Sequence, residues 1–336
     1  MNKFGNRQSA IGNVLNRQLA IGNVMHKGLH RYSLLVAGAT FFLIIAGALV
    51  TSNDAGLATE DWPLSNGQFF PEMVGNLFWE HGHRMVATTV GVLTIGLVFF
   101  LYAKEQRRWV RKLGVFALIA VIAQGLLGGL TVKLMLPPAV STAHATLAQL
   151  FFCTTVSLAV FTSKSWSTFS NTIEETGALP IRYLCIAALL TILLQLVLGA
   201  TLRHSATWDK HLPGDLLLAH IGGAIAVTVI LAGTAFTILR RHPEEKFLTR
   251  PAMIALGLLA LQLLLGVAAY VTRLRSPDDP QPLHPMIGIT VAHVACGALV
   301  FATAIVMCLR AFKVLRGSAA SLPIVLAGEP AKQARA

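Results

Sequence analysis

The sequence predicts an all-α membrane protein whose eight transmembrane helices form two four-helix bundles related by a parallel repeat. Three observations lead to this fold class: the composition, the number of long apolar stretches, and a set of residues that recurs in both halves. Of the 336 residues, 54% are hydrophobic and only 12% are charged, and the mean hydropathy is +0.65. Soluble globular proteins carry about 25% charged residues, so this composition excludes a water-soluble fold.

Eight apolar stretches are long enough to cross a bilayer, which requires about 17–25 residues per helix. The predicted spans are 32–50, 81–103, 113–132, 141–162, 181–201, 215–239, 251–272 and 285–309. A polar tail precedes the first span and no small-residue cleavage site is present, so we expect a retained helix and not a cleaved signal peptide. Within the tail, 6–14 (NRQSAIGNV) and 16–24 (NRQLAIGNV) repeat with little apolar content to bury. We therefore expect a disordered tail.

The basic residues indicate how the spans are oriented. Of the 27 Lys and Arg residues, 21 fall in the two tails and in the loops on the same side, and five fall in the opposite loops. The long loop at about 51–80 contains no Lys or Arg, and its acidic residues include Asp54, Glu60, Asp61 and Glu72. By the positive-inside rule, both termini face the cytoplasm. The net charge of +12 therefore reports topology and not nucleic-acid binding.

Several short segments recur in the second half of the chain. Gly47 to Thr51 ends the first span, and Gly199 to Arg203 ends the fifth. Gln124 to Gly129 in the third span corresponds to Gln262 to Gly266 in the seventh. Because an even number of spans separates the halves, they run in the same direction, as in a parallel repeat about an axis along the membrane normal. We expect each half to be a four-helix bundle.

This repeat divides the chain into two halves with connecting segments. The predicted units are a cytoplasmic tail at 1–31, an N-terminal bundle at 32–163, a cytoplasmic linker at 164–180, a C-terminal bundle at 181–316, and a cytoplasmic tail at 317–336.

Four histidines lie in the first third of helices that start on the outer side: His83, His144, His220 and His293. At about 1.5 Å per residue they lie within one or two turns of the outer boundary, and ionisable residues inside a membrane mark function. Two imidazoles facing each other across a bundle suit haem iron better than zinc, whose sites use three or four protein ligands. Basic residues available to haem propionates at the outer edge are Arg84, Arg203 and Arg273. The sequence predicts one haem site in each half.

An acidic residue distinguishes the first site from the second. In the segment Glu80-His-Gly-His-Arg84, Glu80 precedes His83 by three residues and shares its helix face. Glu80 is either a group that acts at the haem or a cap for the second span. In the second half the residues three before the histidines are Leu217 and Thr290. This asymmetry indicates a reacting site in the N-terminal half and a fixed, electron-carrying haem in the C-terminal half.

Taken together, these features resemble the haem A synthase family over essentially all eight spans. The residues that carry the resemblance are Gly47-Ala-Leu-Val-Thr51, Gly56-Leu57, the segment DWPLSNG at 61–67, Glu80-His-Gly-His-Arg84, and the paired histidines. The resemblance implies an inner-membrane oxidoreductase that oxidises the C8 methyl group of haem O to a formyl group, giving haem A for terminal oxidases. Haem O is then the substrate. The electron donor is not identified, and haem O synthase and a second copy of the chain are left open as partners.

The resemblance also assigns residues to each site. Glu80, His83 and His144 correspond to the catalytic residues of the substrate site, where the two histidines hold the iron. His220 and His293 correspond to the ligands of a b-type haem. Arg84 is expected to bind a propionate.

One feature departs from the family pattern. Many members carry a cysteine pair in the first outer loop, whereas this chain has Ala58 and Thr59 near the first position and Ser65 at the second. A disulfide is excluded there, and we expect the pair to be dispensable in this subgroup.

Two other functions are compatible with parts of the pattern. A di-haem cytochrome that exchanges electrons with quinone explains the paired histidines. It does not explain Glu80 or the Trp62-Pro63 loop, and all four histidines lie near one face. A transporter or haem chaperone would need a polar site at the midplane on broken helices, which the even-numbered spans lack.

Overall fold

A computed structural model describes residues 26–169, 172–175, 179–209, 212–274 and 284–317. Its long helices are α1 (Lys27–Ser52), α2 (Gly75–Lys104), α3 (Arg108–Lys133), α4 (Pro138–Phe161), α5 (Ile181–Asp209), α6 (Gly214–Arg241), α7 (Lys246–Leu274) and α8 (His284–Val314). All eight are long and apolar enough to cross a membrane. The predicted multi-pass helical fold with eight candidate spans is confirmed.

The helices extend beyond most of the predicted spans. α1 begins at Lys27, so 27–31 of the predicted tail is helical; α2 begins at Gly75, and α5 continues to Asp209. A helix satisfies its own backbone hydrogen bonds and can continue past the hydrocarbon region, where the composition is no longer apolar. The predicted tails at 1–25 and from 318 onward lie outside the described residues.

Two short strands interrupt the expected all-helical pattern. β1 (Ile173–Glu175) pairs in parallel with β2 (Leu315–Gly317), and this pairing joins the predicted linker to the end of the C-terminal half. Three residues per strand are too few to show an alternating pattern in the sequence. Glu175 is buried and accepts hydrogen bonds from the backbone N–H of Ile181 and, at 3.0 Å, from Nε of Arg182. The linker thereby fixes the first turn of α5.

The long helices pack in two sets of four. α1 and α3 each contact α2 and α4, whereas α5 and α7 each contact α6 and α8. The sets meet where α4 contacts α5 and where α8 contacts α1 and α4. The buried apolar residues between the sets are Ile44, Phe152, Ala298 and Ala302. The N-terminal parts of α2, α4, α6 and α8 bring the predicted histidines into this framework.

Candidate functional site

Each of the four predicted histidines faces a glycine on the preceding long helix. A methyl group placed on that glycine would lie about 3 Å from Cε1 of the imidazole ring. The distances are 3.1 Å for Gly47 and His83, 3.0 Å for Gly128 and His144, 2.8 Å for Gly199 and His220, and 3.1 Å for Gly266 and His293. Because interiors are close-packed, a larger side chain at any of these positions would push the ring away. The same helix-pair contact therefore occurs four times.

Three of the histidines also contact a glutamine that lies four residues before the facing glycine. Nε2 of the glutamine lies 3.3 Å from Nε2 of His144, 3.0 Å from Nδ1 of His220 and 3.2 Å from Nε2 of His293, for Gln124, Gln195 and Gln262 respectively. Gln124 and Gln195 also donate to the backbone carbonyl oxygen of their histidine, at 3.0 Å and 2.8 Å. These amides hold both the ring and the helix that carries it.

The histidines of each half lie close to each other. The ring centres of His220 and His293 are 6.4 Å apart, and the ring planes are inclined by 75°. His83 and His144 lie near enough for their charges to interact. In the N-terminal half the two residues come from α2 and α4, and in the C-terminal half from α6 and α8.

The C-terminal pair has the spacing that an iron between two imidazoles requires. A ring nitrogen lies about 2 Å from a bound metal and about 1 Å from its own ring centre, so two such rings have centres about 6 Å apart. The ring nitrogens that face away from the glutamines, Nδ1 of His144 and Nδ1 of His293, are buried and have no hydrogen-bond partner among the described residues. A nitrogen left free in this way is available to a metal. The donor set fits bis-histidine haem.

Glu80 is a buried acid one helical turn from His83. Its side chain forms an ion pair with Arg84, and its Oε2 accepts a hydrogen bond from the backbone N–H of Thr59 at 3.1 Å. The residue is only 4% exposed. Glu80 therefore joins α2 to the loop between α1 and α2 and does not cap the first turn of the helix, which begins at Gly75.

Arg84 binds the same loop from α2. Its Nη1 donates to the carbonyl oxygen of Asp61 at 2.9 Å, to that of Leu64 at 2.6 Å and to Oγ of Ser65 at 3.1 Å. Its other guanidinium nitrogen faces Glu80. Arg84 thus attaches the loop between α1 and α2 to the N-terminal part of α2.

The loop is organised around the carboxylate of Asp61. The hydroxyl of Thr59 donates to this carboxylate, and so do the backbone N–H groups of Gly67 at 2.8 Å and Asn66 at 2.9 Å. These hydrogen bonds, that of Thr59 first, hold the pKa of Asp61 well below its ordinary value. The loop also packs Trp62 against α3, where a methyl group on Gly129 would lie 2.6 Å from Cδ2 of the indole. Gly129 is adjacent to the glycine that faces His144.

Arg203 connects the two halves near both sites. Its Nη2 donates to Oγ of Ser52 at 2.6 Å and to the carbonyl oxygen of Ala48 at 3.3 Å, both at the end of α1. Its Nη1 is buried and has no hydrogen-bond partner in the described part of the chain. Arg203 is also close enough to His293 for their charges to interact.

Four further histidines occur near these segments of the sequence, and the sequence places His204 in a loop, which is wrong because α5 continues to Asp209. His81 is buried and its Nδ1 contacts Oγ of Ser65 at 2.9 Å, which is a packing role. His204 lies on α5 beside Arg203. His211 lies outside the described residues, as does the side chain of His284.

Sequence reasoning missed the glutamines as partners of the histidines. It used Gln124 and Gln262 only as markers of the repeat. The spacing Gln-x-x-x-Gly occurs at 124–128, 195–199 and 262–266, each time on the long helix before a predicted histidine. That spacing is the signal that could have identified the contact, because residues four apart share a helix face.

Comparison with known proteins relates the chain to one group of membrane proteins. A model of the COX15-CtaA family, described as a cytochrome oxidase assembly protein, matches residues 72–209. The chain is 25% identical to heme A synthase of Bacillus licheniformis over 266 residues, which cover 74% of this chain and 88% of that protein. It is 27% identical to heme A synthase of Symbiobacterium thermophilum, over 71% of this chain and 85% of that protein. The chain is thus similar to heme A synthases over as much as 74% of its length, and to the COX15-CtaA family model over residues 72–209.

The segment that matches the COX15-CtaA model contains one of the two histidine pairs. Residues 72–209 include Glu80, His83 and His144 and end before His220 and His293. A shorter match, 34% identical over 142 residues, relates 38% of the chain to 41% of heme A synthase of a Caulobacter species.

In this chain the loop between α1 and α2 is joined to α2 without cysteines. Thr59 gives its backbone N–H to Glu80, and the hydroxyl of Ser65 contacts both His81 and Arg84. Hydrogen bonds thus join the loop to α2 at Thr59 and Ser65, the two positions near which many members of the family that the chain resembles carry cysteines.

Proposed function

We propose that this protein is a haem A synthase, which oxidises the C8 methyl group of haem O to a formyl group and so supplies haem A to terminal oxidases. The asymmetry between the two histidine pairs carries the proposal. Beside His83 lies a buried carboxylate, that of Glu80, under a loop held by Arg84. The corresponding positions beside His220 and His293 are Leu217 and Thr290. The N-terminal half therefore has an acidic residue that can take part in a reaction, whereas the C-terminal half has only the two histidines that would hold a haem.

In this proposal the N-terminal half binds the substrate. His83 and His144 hold the iron of haem O, and the loop at 53–74 excludes water above it. In this role Glu80, one helical turn from His83, moves a proton or stabilises positive charge that develops as the methyl group is oxidised. Arg84 lies at the outer edge, where a propionate would share the guanidinium with Glu80 and the loop.

The C-terminal half holds a resident b-type haem through His220 and His293. A bound haem of this kind transfers single electrons. The 6.4 Å separation of the two rings supports this assignment. The electrons come from a separate donor.

The proposal includes an orientation and a division of the chain. We place both termini in the cytoplasm, so that all four histidines lie near the outer face, and we take 32–163 and 181–316 as parallel repeats. The distribution of Lys and Arg supports the orientation. The fourfold recurrence of the glycine–histidine contact supports the repeat.

The experiment is expression in membranes that make haem O but not haem A, followed by extraction and identification of the non-covalent haems by chromatography and mass. We expect haem A with the unaltered chain and none with His83→Ala. If the protein yields only haem B, at about two per chain, it is a di-haem cytochrome and the proposal is wrong.

A further inference from the structure

One of the four histidines lacks the glutamine contact that holds the others. At the position four residues before Gly47, where the other helices carry glutamine, α1 carries Leu43. Leu43 packs against the apolar cluster that includes Val90 and Leu97 and offers no hydrogen bond. Nδ1 of His83 is buried without a hydrogen-bond partner among the residues described. Within the described residues, no amide therefore holds the ring of His83, which faces Gly47.

A glutamine beside a ligating imidazole affects how firmly that imidazole binds metal. The ring nitrogen that does not bind iron carries a proton, and an acceptor for this proton fixes the ring and raises its basicity. Rotating the amide by half a turn puts Oε1 where Nε2 lies, so that it accepts this proton. For Gln124 and Gln195 this rotation gives up the hydrogen bond from Nε2 to the backbone carbonyl oxygen of the histidine. Oε1 of Gln124, Gln195 and Gln262 is buried with no other partner in the described structure. Loss of such a partner typically weakens metal binding about 10–100-fold.

The two halves consequently differ in the number of fixed ligands. In the C-terminal half, Gln195 and Gln262 hold both histidines. In the N-terminal half, Gln124 holds His144, and no glutamine of the described residues contacts His83. A permanently bound haem requires two iron ligands that stay in place. A haem substrate that enters and leaves the site requires one ligand that dissociates from the iron.

We propose that His83 is the exchangeable ligand of the N-terminal site and that Leu43 makes it so, while Gln124 keeps His144 as the fixed ligand. The inference rests on the proposed function, because it takes the N-terminal haem as a substrate that must be released. In the exchange, the bond between the ring nitrogen of His83 and iron breaks, and its electron pair stays on the nitrogen. No electron is transferred, and Glu80 remains paired with Arg84.

The test uses carbon monoxide as a probe for a ligand that releases. It is added to the reduced, full-length, haem-loaded protein, and the rate of binding is followed by absorbance. We expect the N-terminal haem of the unaltered chain to react and the C-terminal haem to remain unreactive. Leu43→Gln should slow the reaction about tenfold or more. Leu43→Met, of similar volume without an amide, is the matched control and should react as the unaltered chain does.

A second pair of variants makes the test independent of how well a buried glutamine is tolerated at position 43. His83→Ala should retain N-terminal haem on His144 alone, with a high-spin spectrum, whereas His144→Ala should lose that haem. Gln124→Leu should lower haem retention in the same half. Equal rates for Leu43→Gln and Leu43→Met, or retention by His144→Ala with loss by His83→Ala, would overturn the inference.

These measurements read bound haem and do not require haem A to form. A chain that makes no haem A but responds to Leu43→Gln contradicts the proposed function and leaves His83 as the exchangeable ligand. A chain that makes haem A and shows no response to Leu43→Gln contradicts the assignment of His83 alone.

Discussion

At the scale of single residues, Glu80 combines a structural contact with the position of a reacting group. Its carboxylate is buried, faces the guanidinium of Arg84, and accepts the backbone N–H of Thr59 at 3.1 Å. Burying a charge is costly unless it is paired. The ion pair with Arg84 therefore allows Glu80 to be ionised inside the N-terminal half. A substitution that keeps the shape and removes the charge separates these two roles.

We expect Glu80→Gln to reduce haem A formation about 100-fold or more, which is the usual contribution of a general acid or base. Glutamine can still accept from Thr59, so the loop and the loading of haem should be preserved. The measurement is haem A formed per bound haem, in membranes that supply haem O. Full haem A formation with normal loading would show that Glu80 acts only on the loop.

Gly199 tests the close approach of helix and ring in the C-terminal half. A methyl group at this position would lie 2.8 Å from Cε1 of His220 and must displace the ring. We expect Gly199→Ala to weaken haem binding in this half about 10–100-fold, the range found when the support of a ligand is removed, and to leave the N-terminal half loaded. Haem content per purified chain measures this.

The matched control for Gly199 is Gly233→Ala on α6. A methyl group there meets nothing within 4 Å, so haem content should equal that of the unaltered protein. If both variants retain full haem, the glycine at position 199 does not position His220.

At the scale of elements, the loop between α1 and α2 is held as a unit by a few polar groups. Asp61 collects hydrogen bonds from the loop itself, while Arg84 and Glu80 attach the loop to α2. The sequence showed the unusual composition of this segment and its resemblance to one family. It did not show that Arg84 faces the loop, because contacts at a separation of about 20 residues depend on how the chain folds back.

The pKa of Asp61 predicts how this loop responds to pH. Because the folded-state pKa is lowered, the hydrogen bonds contribute stability above the ordinary pKa of about 3.9 and lose it only as the pH falls through the lowered pKa. Hydrogen-exchange protection of the amides of Asn66 and Gly67 should therefore be the same at pH 7 and pH 5. Asp61→Ala should lose most of this protection at both values.

Glu60→Ala is the control for Asp61, since its side chain is exposed and the adjacent backbone is unchanged. It should leave the protection of both amides intact. A fall in protection between pH 7 and pH 5 in the unaltered chain would contradict the account of Asp61.

At the scale of the whole molecule, the sequence predicted the spans and the paired histidines because bilayer thickness and the cost of buried polar groups act on every residue of a span. Eight helices and the placement of His144 on α4 follow from apolar length alone. The pairing of β1 with β2 could not be predicted, since it joins residues about 140 positions apart through three-residue strands. The contact of Arg203 with Ser52 could not be predicted either, because the two residues are 151 positions apart in the sequence.

The contact between Arg203 and Ser52 joins α5 to the end of α1, and so joins the two halves. Ser52→Ala removes the hydroxyl that accepts from Nη2 of Arg203 at 2.6 Å. Nη2 then has only the carbonyl oxygen of Ala48 at 3.3 Å. Nη1 of Arg203 already has no hydrogen-bond partner within the described structure. Leaving a buried charged donor poorly satisfied costs about 1–3 kcal/mol. We expect the free energy of unfolding in detergent to fall by about that amount.

Thr51→Ala is the comparison for this change, because the hydroxyl of Thr51 donates only within α1, to Gly47 at 3.4 Å. It should change the free energy of unfolding much less than Ser52→Ala does. Equal effects of the two substitutions would mean that Arg203 does not stabilise the joint. A larger effect of Ser52→Ala, with both haems retained, would show that the two halves are held together by a contact that neither half contains alone.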